Sequence, residues 1–231
     1  MTTTTAPIAG RRTNIFTRDD AGSLTASWTQ RAKLLATDGA AGDEFGWSVT
    51  LDGNTVVVGA PKGASIGSAY VFASLPPPSS TSNPSPSLSP RISTSPAVTG
   101  NAVAVDFKYF GATVMGDKVF FAPSFQRNVG MLDMNNGVFS TIATTGASVS
   151  SAWKYCEAVA MGADKVFFAP YGQIKNVGVL DNSKNVVTTI AATSDATSSN
   201  ETHCRSVMVG NRVFGYACPS SLSCNNGPTS Q

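Results

Sequence analysis

The sequence predicts an all-β protein assembled from four-stranded antiparallel sheets, and three observations support that prediction. The segment DKVFFAP occurs at residues 117–123 and again at 164–170, 47 positions apart. The runs around both copies are short and rich in β-branched and aromatic residues, which favour strands. Gly-Asp, Gly-Asn and Asn-Gly steps separate the runs, and these residues tolerate the positive φ of tight hairpins. A fixed period indicates that one structural unit recurs along the chain.

The repeated unit is longer than this segment. The first copy spans residues 108–145, the second spans 154–193, and a partial third copy begins at His203. In the first copy, four strand-like runs follow one another: YFGATVMG, KVFFAP, NVGMLDM and VFSTIATT. A four-stranded antiparallel meander of about 47 residues has the size of one β-propeller blade. The predicted fold is therefore a β-propeller-like array of four-stranded antiparallel blades, and whether this chain completes a propeller stays open.

The second run of each copy predicts a strand that is covered on both faces. A strand with one wet face alternates apolar and polar residues, but VFF places apolar side chains on both faces. Propeller blades stack face to face, so an interior strand is covered twice. Pro123 and Pro170 then end the run, because proline cannot donate a hydrogen bond to the next strand.

The front of the chain contains a second type of unit. Residues 28–73 include the strand-like runs KLLA, FGWSVTL, TVVVGAP and SAYVF, with a hairpin predicted at Asp52-Gly53. The Phe45-Gly46 pair, the VVVGAP run at 56–61 and the GSAYVF run at 67–72 together resemble an FG-GAP repeat. The resemblance implies a blade of an integrin-α-type β-propeller, a family that usually serves adhesion or ligand binding. The later repeats, about 105–219, are similar to kelch-type propeller repeats in architecture, without the paired glycines of that family.

No metal or other cofactor is predicted. Many FG-GAP blades carry an acidic calcium loop, but the acidic residues of this region lack its spacing: Asp38, Asp43, Glu44 and Asp52. The four cysteines form no Cys-x-x-Cys pair, and one histidine cannot complete a usual zinc set. Cysteines are therefore expected as small buried residues, with Cys218 and Cys224 bridged only in an oxidising compartment.

The predicted segments differ in composition. They are a disordered tail at 1–26, the FG-GAP-like blade at 27–73, a Pro/Ser-rich linker at 74–100, the repeats at 101–219 and a disordered tail at 220–231. The linker holds seven Pro and nine Ser in 27 residues, which is too polar a composition to offset the entropy of ordering it. One front blade and two and a half repeats fall just below the four blades of the smallest propellers. The chain is thus expected to close a small propeller, to be part of a longer protein or associate with itself or another chain, or to form an open β array, which its exposed edges disfavour.

The composition argues against two classes of partner. A net charge of +2, with 13% charged residues, is too small for the basic face that nucleic acid needs. The apolar runs are shorter than the roughly 18 residues that span a bilayer, so membrane insertion is not expected. The N-terminal residues lack the apolar core of a secretory signal. The compartment stays open: extracellular by the FG-GAP resemblance, cytoplasmic otherwise.

Two groups of residues are predicted to bind a ligand. In an up-and-down meander the longer connections share one face, and binding residues concentrate on such loops. This loop-face group contains Phe125, Arg127, Trp153, Tyr171, Gln173 and Lys175. The second group lies at the start of each first strand, nearest the propeller axis, where it would form a polar, mildly basic mouth; it contains Lys108, Tyr109, Lys154, Tyr155 and His203. Asp133 and Asp181 end equivalent runs and are predicted to cap turns.

The leading functional hypothesis is a non-enzymatic repeat protein that binds a protein or a glycan through its loop face. The alternative is a propeller enzyme, a hydrolase or lyase, with Lys154, Glu157, His203 or Arg205 converging at the axial mouth. His203 is the only histidine, and nothing in the sequence places a nucleophile and an orienting group beside it. A third hypothesis is a fragment of a larger repeat protein without a function of its own.

Overall fold

The computed structural model describes ten segments of the 231-residue chain: residues 12–18, 28–36, 38–62, 68–72, 92–94, 108–144, 154–171, 176–191, 202–209 and 212–218. The chain divides into two compact units, Met1–Ala97 and Val98–Gln231. Throughout the described segments the regular elements are β-strands. None of these segments contains a helix long and apolar enough to cross a membrane.

Unit 1 contains two antiparallel sheets. Its strands are β1 (Thr13–Arg18), β2 (Trp28–Leu34), β3 (Ser48–Asp52), β4 (Thr55–Ala60), β5 (Ser68–Phe72) and β6 (Ile92–Thr94). Strands β1 and β2 pair with each other, and the second sheet has the order β3-β4-β5-β6. The predicted Asp52-Gly53 hairpin joins β3 to β4, with Gly53 at φ 51°.

The Phe-Gly pair of the FG-GAP pattern organises the core of unit 1. Phe45 is 4% exposed and meets the ring edges of Tyr70 and Phe72, at centroid distances of 5.3 and 6.4 Å. Gly46 has φ 90°, a conformation that side chains disfavour, and its N–H donates to the Gly59 carbonyl at 3.0 Å. The pair therefore turns the chain sharply and inserts one aromatic ring into the core.

Unit 1 has two strands where the sequence suggested disorder. Strand β1 lies within the predicted tail, and its Ile15 packs against the core of this unit. Strand β6 lies within the predicted linker and pairs along the edge of β5, with Ile92 opposite Val71. Few apolar side chains occur in this segment, but β6 joins its sheet through backbone hydrogen bonds, which a polar sequence also supplies. The KLLA run also differs from expectation, because its first two residues lie in β2 and not in the four-stranded sheet.

Unit 2 contains the repeats as two four-stranded meanders and one strand pair. The first copy forms β7 (Tyr109–Met115), β8 (Lys118–Pro123), β9 (Asn128–Asp133) and β10 (Phe139–Ala143). The second copy forms β11 (Tyr155–Met161), β12 (Lys165–Pro170), β13 (Asn176–Asp181) and β14 (Val186–Ala191). The partial third copy forms β15 (Thr202–Val209) and β16 (Arg212–Cys218). Neighbours in sequence are neighbours in each sheet, and all pairs are antiparallel. This confirms the predicted four-stranded units.

The two complete sheets of unit 2 pack face to face. Phe120, Val129 and Ile142 of the first sheet share one buried cluster with Phe168 and Leu180 of the second. The opposite face of the first sheet is also buried, since Val119 and Leu132 are fully inaccessible. The first strand of each sheet, β7, β11 and β15, lies next to that of the following sheet, as expected for stacked blades.

The expectation of double coverage holds fully for one copy. In β8, Phe120 is 0% and Phe121 is 7% exposed, so both faces are covered. In β12, Phe168 is fully buried, but Phe167 is only partly buried. Phe167 points away from the first sheet, toward the side where β15 contacts β12, and the described part of that neighbouring sheet has two strands. A shorter neighbour covers less of the face.

Candidate functional site

The described members of the two predicted groups lie at the same end of the sheets in unit 2. We call it the loop end: the end at which β7 and β11 begin and β8 and β12 finish. Tyr109 pairs with Pro123 there, and Tyr155 pairs with Pro170. The described residues at the starts of the first strands and just after β8 and β12 therefore lie at one end of the sheets, although the sequence placed them in two groups.

A chain of backbone hydrogen bonds crosses from one sheet to the next at the loop end. The Ser124 N–H donates to the Lys108 carbonyl at 2.8 Å, and the Lys154 N–H donates to the Ser124 carbonyl at 3.4 Å. The Tyr171 N–H then donates to the Lys154 carbonyl at 2.8 Å, which repeats the first bond in the second copy. These bonds fix the positions of four strand ends relative to one another.

The lysines of the predicted basic mouth are buried. Lys108 is 5% exposed and Lys154 is 1% exposed, whereas the sequence suggested polar groups facing the axis. The hydrogen bonds described above place Lys154 between two successive sheets, and this enclosure accounts for its burial. Loss of hydration, together with the positive charge of Arg127, lowers the pKa of Lys154 to about 8. Arg127 itself is exposed.

The two tyrosines of the mouth belong to the interior of the sheets. A Cβ atom on Gly178 would lie 2.9 Å from Cζ of Tyr155, and one on Gly130 would lie 2.9 Å from Cζ of Tyr109. The glycine of each NVG segment therefore makes room for a tyrosine ring. Tyr155 is 1% exposed, and burial raises the pKa of Tyr109. Tyr155 is therefore enclosed by the core, whereas Tyr109 packs against Gly130 and stays partly exposed.

Aromatic groups do reach the surface beside the lysines. Phe110 and Tyr171 stack with their centroids 5.8 Å apart and their planes 24° from parallel, and both are partly exposed. Phe125 is also partly exposed. Sequence reasoning missed Phe110, because its repeat equivalents are Cys156 and Cys204 and the position is aromatic only in the first copy. The replacement of cysteine by Phe110 in the first copy was the signal that could have identified this residue.

Some predicted residues fall outside what the structure describes. Trp153, Gln173 and Lys175 lie between the described segments. The backbone of His203 pairs with Ala217 in β15–β16, but its side chain is not described. The same holds for Arg205, so the set of side chains for the enzymatic alternative is not brought together among the described residues. Glu157 contacts the backbone at Gly111, on the neighbouring first strand.

The opposite end of the sheets, the turn end, carries the carboxylates. Asp133 accepts a hydrogen bond from the Asn135 N–H at 2.9 Å, as a turn cap does. Asp181 accepts from the Ser183 hydroxyl at 2.6 Å and pairs with the Lys184 ammonium at 3.1 Å. The hydrogen bonds from Ser183 and Lys184 lower the pKa of Asp181 to about 2. In the described segments, no group of three or more His, Cys, Asp or Glu side chains is placed to hold a metal ion.

The burial of Lys154 predicts a pH-dependent stability. Its pKa falls from 10.5 in the unfolded chain to about 8 in the fold, so between these values the unfolded state holds the proton and the folded state does not. The free energy of unfolding should therefore rise as the pH increases from 8 to 10.5, by about 3 kcal/mol. In Lys154→Met this rise should be absent, and urea titrations at pH 7, 8, 9, 10 and 10.5 would show the wild-type curve climbing relative to that of the variant. The Lys154→Arg variant, charged throughout, should also lack it. If the free energy of unfolding changed with pH in the same way in all three proteins, the pH dependence would come from a group other than Lys154.

The comparisons with known proteins agree with this architecture. Residues 28–72 match the family model of the FG-GAP repeat, which confirms the resemblance of the front unit. No curated protein matches the chain. Among solved structures, YCF48 bound to D1 peptide is similar over 88% of this chain and 54% of its own, with 8% identity and a TM-score of 0.50.

Two further structures resemble the chain more loosely. BamB from Moraxella catarrhalis covers 78% of this chain, which spans 49% of BamB, with 14% identity and a TM-score of 0.42. The extracellular domain of BT4673 from B. thetaiotaomicron covers 74% of this chain, which spans only 19% of it, with 13% identity and a TM-score of 0.46. The chain thus spans between a fifth and about half of these proteins. The chain is an all-β protein with sheets of the β-propeller type, and its residues 28–72 match an FG-GAP repeat.

Proposed function

We propose that this chain is a non-enzymatic binding module that takes a protein or glycan partner at the loop end of unit 2. The observation that carries the proposal is the chain of backbone hydrogen bonds through Lys108, Ser124, Lys154 and Tyr171. It holds the bases of two connections rigidly while leaving Arg127, Phe125 and Tyr171 at least partly exposed. Exposed side chains on a rigid scaffold are the usual form of a recognition surface.

Two further observations support binding over catalysis. Lys154, whose lowered pKa would suit an acid or base, is 1% exposed and so is closed to a substrate. The YCF48 structure, which has a similar fold, contains a bound peptide, so a protein of this architecture is able to hold a partner.

The proposal is tested by a comparison of the two ends of unit 2. The full chain is immobilised and exposed to a glycan array and to an extract of its source cells. The loop-end variant carries Arg127→Glu and Tyr171→Ala, and the matched turn-end control carries Lys184→Glu, which changes a 75% exposed side chain. Circular dichroism checks that all three proteins fold alike.

We expect a partner that the wild-type chain and the turn-end control retain and the loop-end variant loses. Retention by all three proteins would place recognition elsewhere on the chain. A wild-type chain that holds neither a protein nor a glycan would contradict the proposal.

A further inference from the structure

The described charges of unit 2 are distributed unevenly between its two ends. At the turn end, carboxylates and lysines occur together and largely offset one another: Asp117, Lys118, Asp133, Asp164, Lys165, Asp181 and Lys184. At the loop end, the described charged residues are Lys108, Arg127 and Lys154, all of them positive. The nearest described carboxylate along the chain, Glu157, lies three positions into the strand that Lys154 precedes. The described residues of the loop end therefore carry a surplus of positive charge.

The three cations differ in burial, and so in how each acts on a ligand. Lys108 and Lys154 lie under the surface, where a lower effective dielectric strengthens their field, but they cannot touch a ligand. Arg127 is exposed, its backbone is held by the Thr144 hydroxyl, which donates to the Arg127 carbonyl, and its guanidinium has no acidic partner among the described residues. A guanidinium binds a carboxylate through two parallel hydrogen bonds. The structure thus offers one contact group above a buried positive field.

A stacked aromatic pair lies at the same end of the sheets and is linked through the backbone to the connection that contains Arg127. Lys154 connects the two, since its N–H bonds to Ser124 in the connection that contains Arg127 and its carbonyl accepts from Tyr171. The Tyr171 ring is backed by Phe110, which stacks against it at 5.8 Å. A backed, partly exposed ring with a hydroxyl at its edge suits a flat ligand that has both an apolar and a polar side. The ring of a sugar is such a ligand.

The backbone at the loop end argues against an extended peptide. A peptide that adds to a sheet needs free N–H and C=O groups along a strand edge. Here the Lys108 carbonyl already accepts from the Ser124 and Gln126 N–H groups, at 2.8 and 3.4 Å. Both backbone groups of Lys154 are also bonded. Strand addition at Lys108 and Lys154 is therefore excluded, and a ligand bound there is recognised through side chains.

We propose that the loop end of unit 2 binds an acidic glycan, with a uronate carboxylate on Arg127 and a sugar ring against Tyr171. This inference rests on the proposed function and specifies its ligand. The buried lysines favour the anion through their charge without contacting it. Because the attraction is electrostatic, affinity should fall as salt is added.

The test uses three probes on the full chain in calorimetry: an oligogalacturonate, the same oligomer with its carboxylates methyl-esterified, and polyglutamate of similar charge. Arg127→Ala should weaken oligogalacturonate binding by about tenfold or more, because it removes a charge-assisted hydrogen-bonded pair. Tyr171→Ala should weaken it by a similar factor, whereas Tyr171→Phe, which keeps the ring, should change it less than threefold or so. The turn-end control Lys184→Glu should bind as the wild type does.

The outcomes separate this inference from the broader one. Strong binding of oligogalacturonate, with weak binding of its ester and of polyglutamate, supports the acidic glycan. Equal binding of the ester would show that the carboxylate is not recognised, and tighter binding of polyglutamate would indicate an acidic peptide as the ligand. Either result overturns the acidic-glycan inference but is compatible with a binding module. If no probe binds while the loop end still retains a partner from extract, the inference also fails. If nothing is retained at all, the proposed function fails with it.

Discussion

Replacing Phe168 with alanine should destabilise unit 2 by about 3–5 kcal/mol, the largest effect that we expect from a single substitution. Phe168 is fully buried in the cluster that joins the two four-stranded sheets, and its ring lies against Tyr155 at a centroid distance of 5.8 Å. Removal of the ring leaves a cavity in the cluster between the two sheets, where the surrounding side chains are held in place by both sheets. Urea unfolding followed by tryptophan fluorescence and circular dichroism measures the loss.

The neighbouring phenylalanine provides a matched control for this substitution. Phe167 has the same chemistry in the same strand, but it faces the other side and is only partly buried. Phe167→Ala should therefore reduce the free energy of unfolding by about 1–2 kcal/mol. Equal losses for the two variants would mean that the faces of β12 are equally covered, contrary to the structure.

Gly111→Ala should destabilise the contact between the first strands of successive sheets by about 2–3 kcal/mol. A Cβ atom at this position would lie 2.6 Å from Cα of Glu157 and 2.8 Å from the Cys156 carbonyl oxygen. These are backbone atoms, which cannot rotate away as the end of a side chain does. Alanine in a strand gains about 0.5–1 kcal/mol over glycine through lower chain entropy, so the clash has the larger effect.

A double variant tests the cause of that loss. If the new methyl group met only the Glu157 carboxylate, Glu157→Ala would restore stability in the Gly111→Ala background. Because the obstructing atoms belong to the backbone, we expect no restoration in the urea midpoint of the double variant. Full recovery of stability in the double variant would show that the methyl group clashes with the Glu157 side chain. The close approach of the β7 and β11 backbones would then be contradicted.

Much of unit 2 could be predicted because its sequence is written twice. Each strand-like run of the first copy coincides with an observed strand to within about two residues, from the run beginning at Tyr109 to the one ending near Ala143. Comparison of the two copies shows which positions keep the same residue and which vary. Glycine and asparagine mark the turns between strands. Gly116 and Gly137 indeed have φ of 62° and 71°.

The strands that composition concealed were less predictable. Strand β6 is only three residues long, contains Ser93 and Thr94, and is specified by the free edge of β5 instead of by its own sequence. The pairing of β6 with β5 depends on the edge of β5, and no local pattern in residues 92–94 predicts it. Strand β1 has only Ile15 and Phe16 as apolar residues, and Phe16 is 51% exposed, so periodicity is weak there as well.

The end of the sheets at which Arg127 and Tyr171 lie was predictable, but the burial of the lysines at that end was not. The meander placed Arg127 and Tyr171 at one end from strand order alone. The burial of Lys108 and Lys154 depends on how closely the next sheet approaches, which is set by packing between residues far apart in sequence. A lysine at the start of a strand was expected at a polar mouth, whereas Lys108 and Lys154 are buried.

The hydrogen bond from the Lys154 N–H to the Ser124 carbonyl bears on how the molecule unfolds. It belongs to neither copy alone, because its donor lies in the second repeat and its acceptor in the first. Repeat arrays often open one unit at a time, with a free energy that reflects the interface between nearest neighbours. The Lys154 amide, bonded across that interface, exchanges its hydrogen with solvent only when the two repeat copies separate. The protection of the Lys154 amide therefore reports the cooperativity between the copies directly.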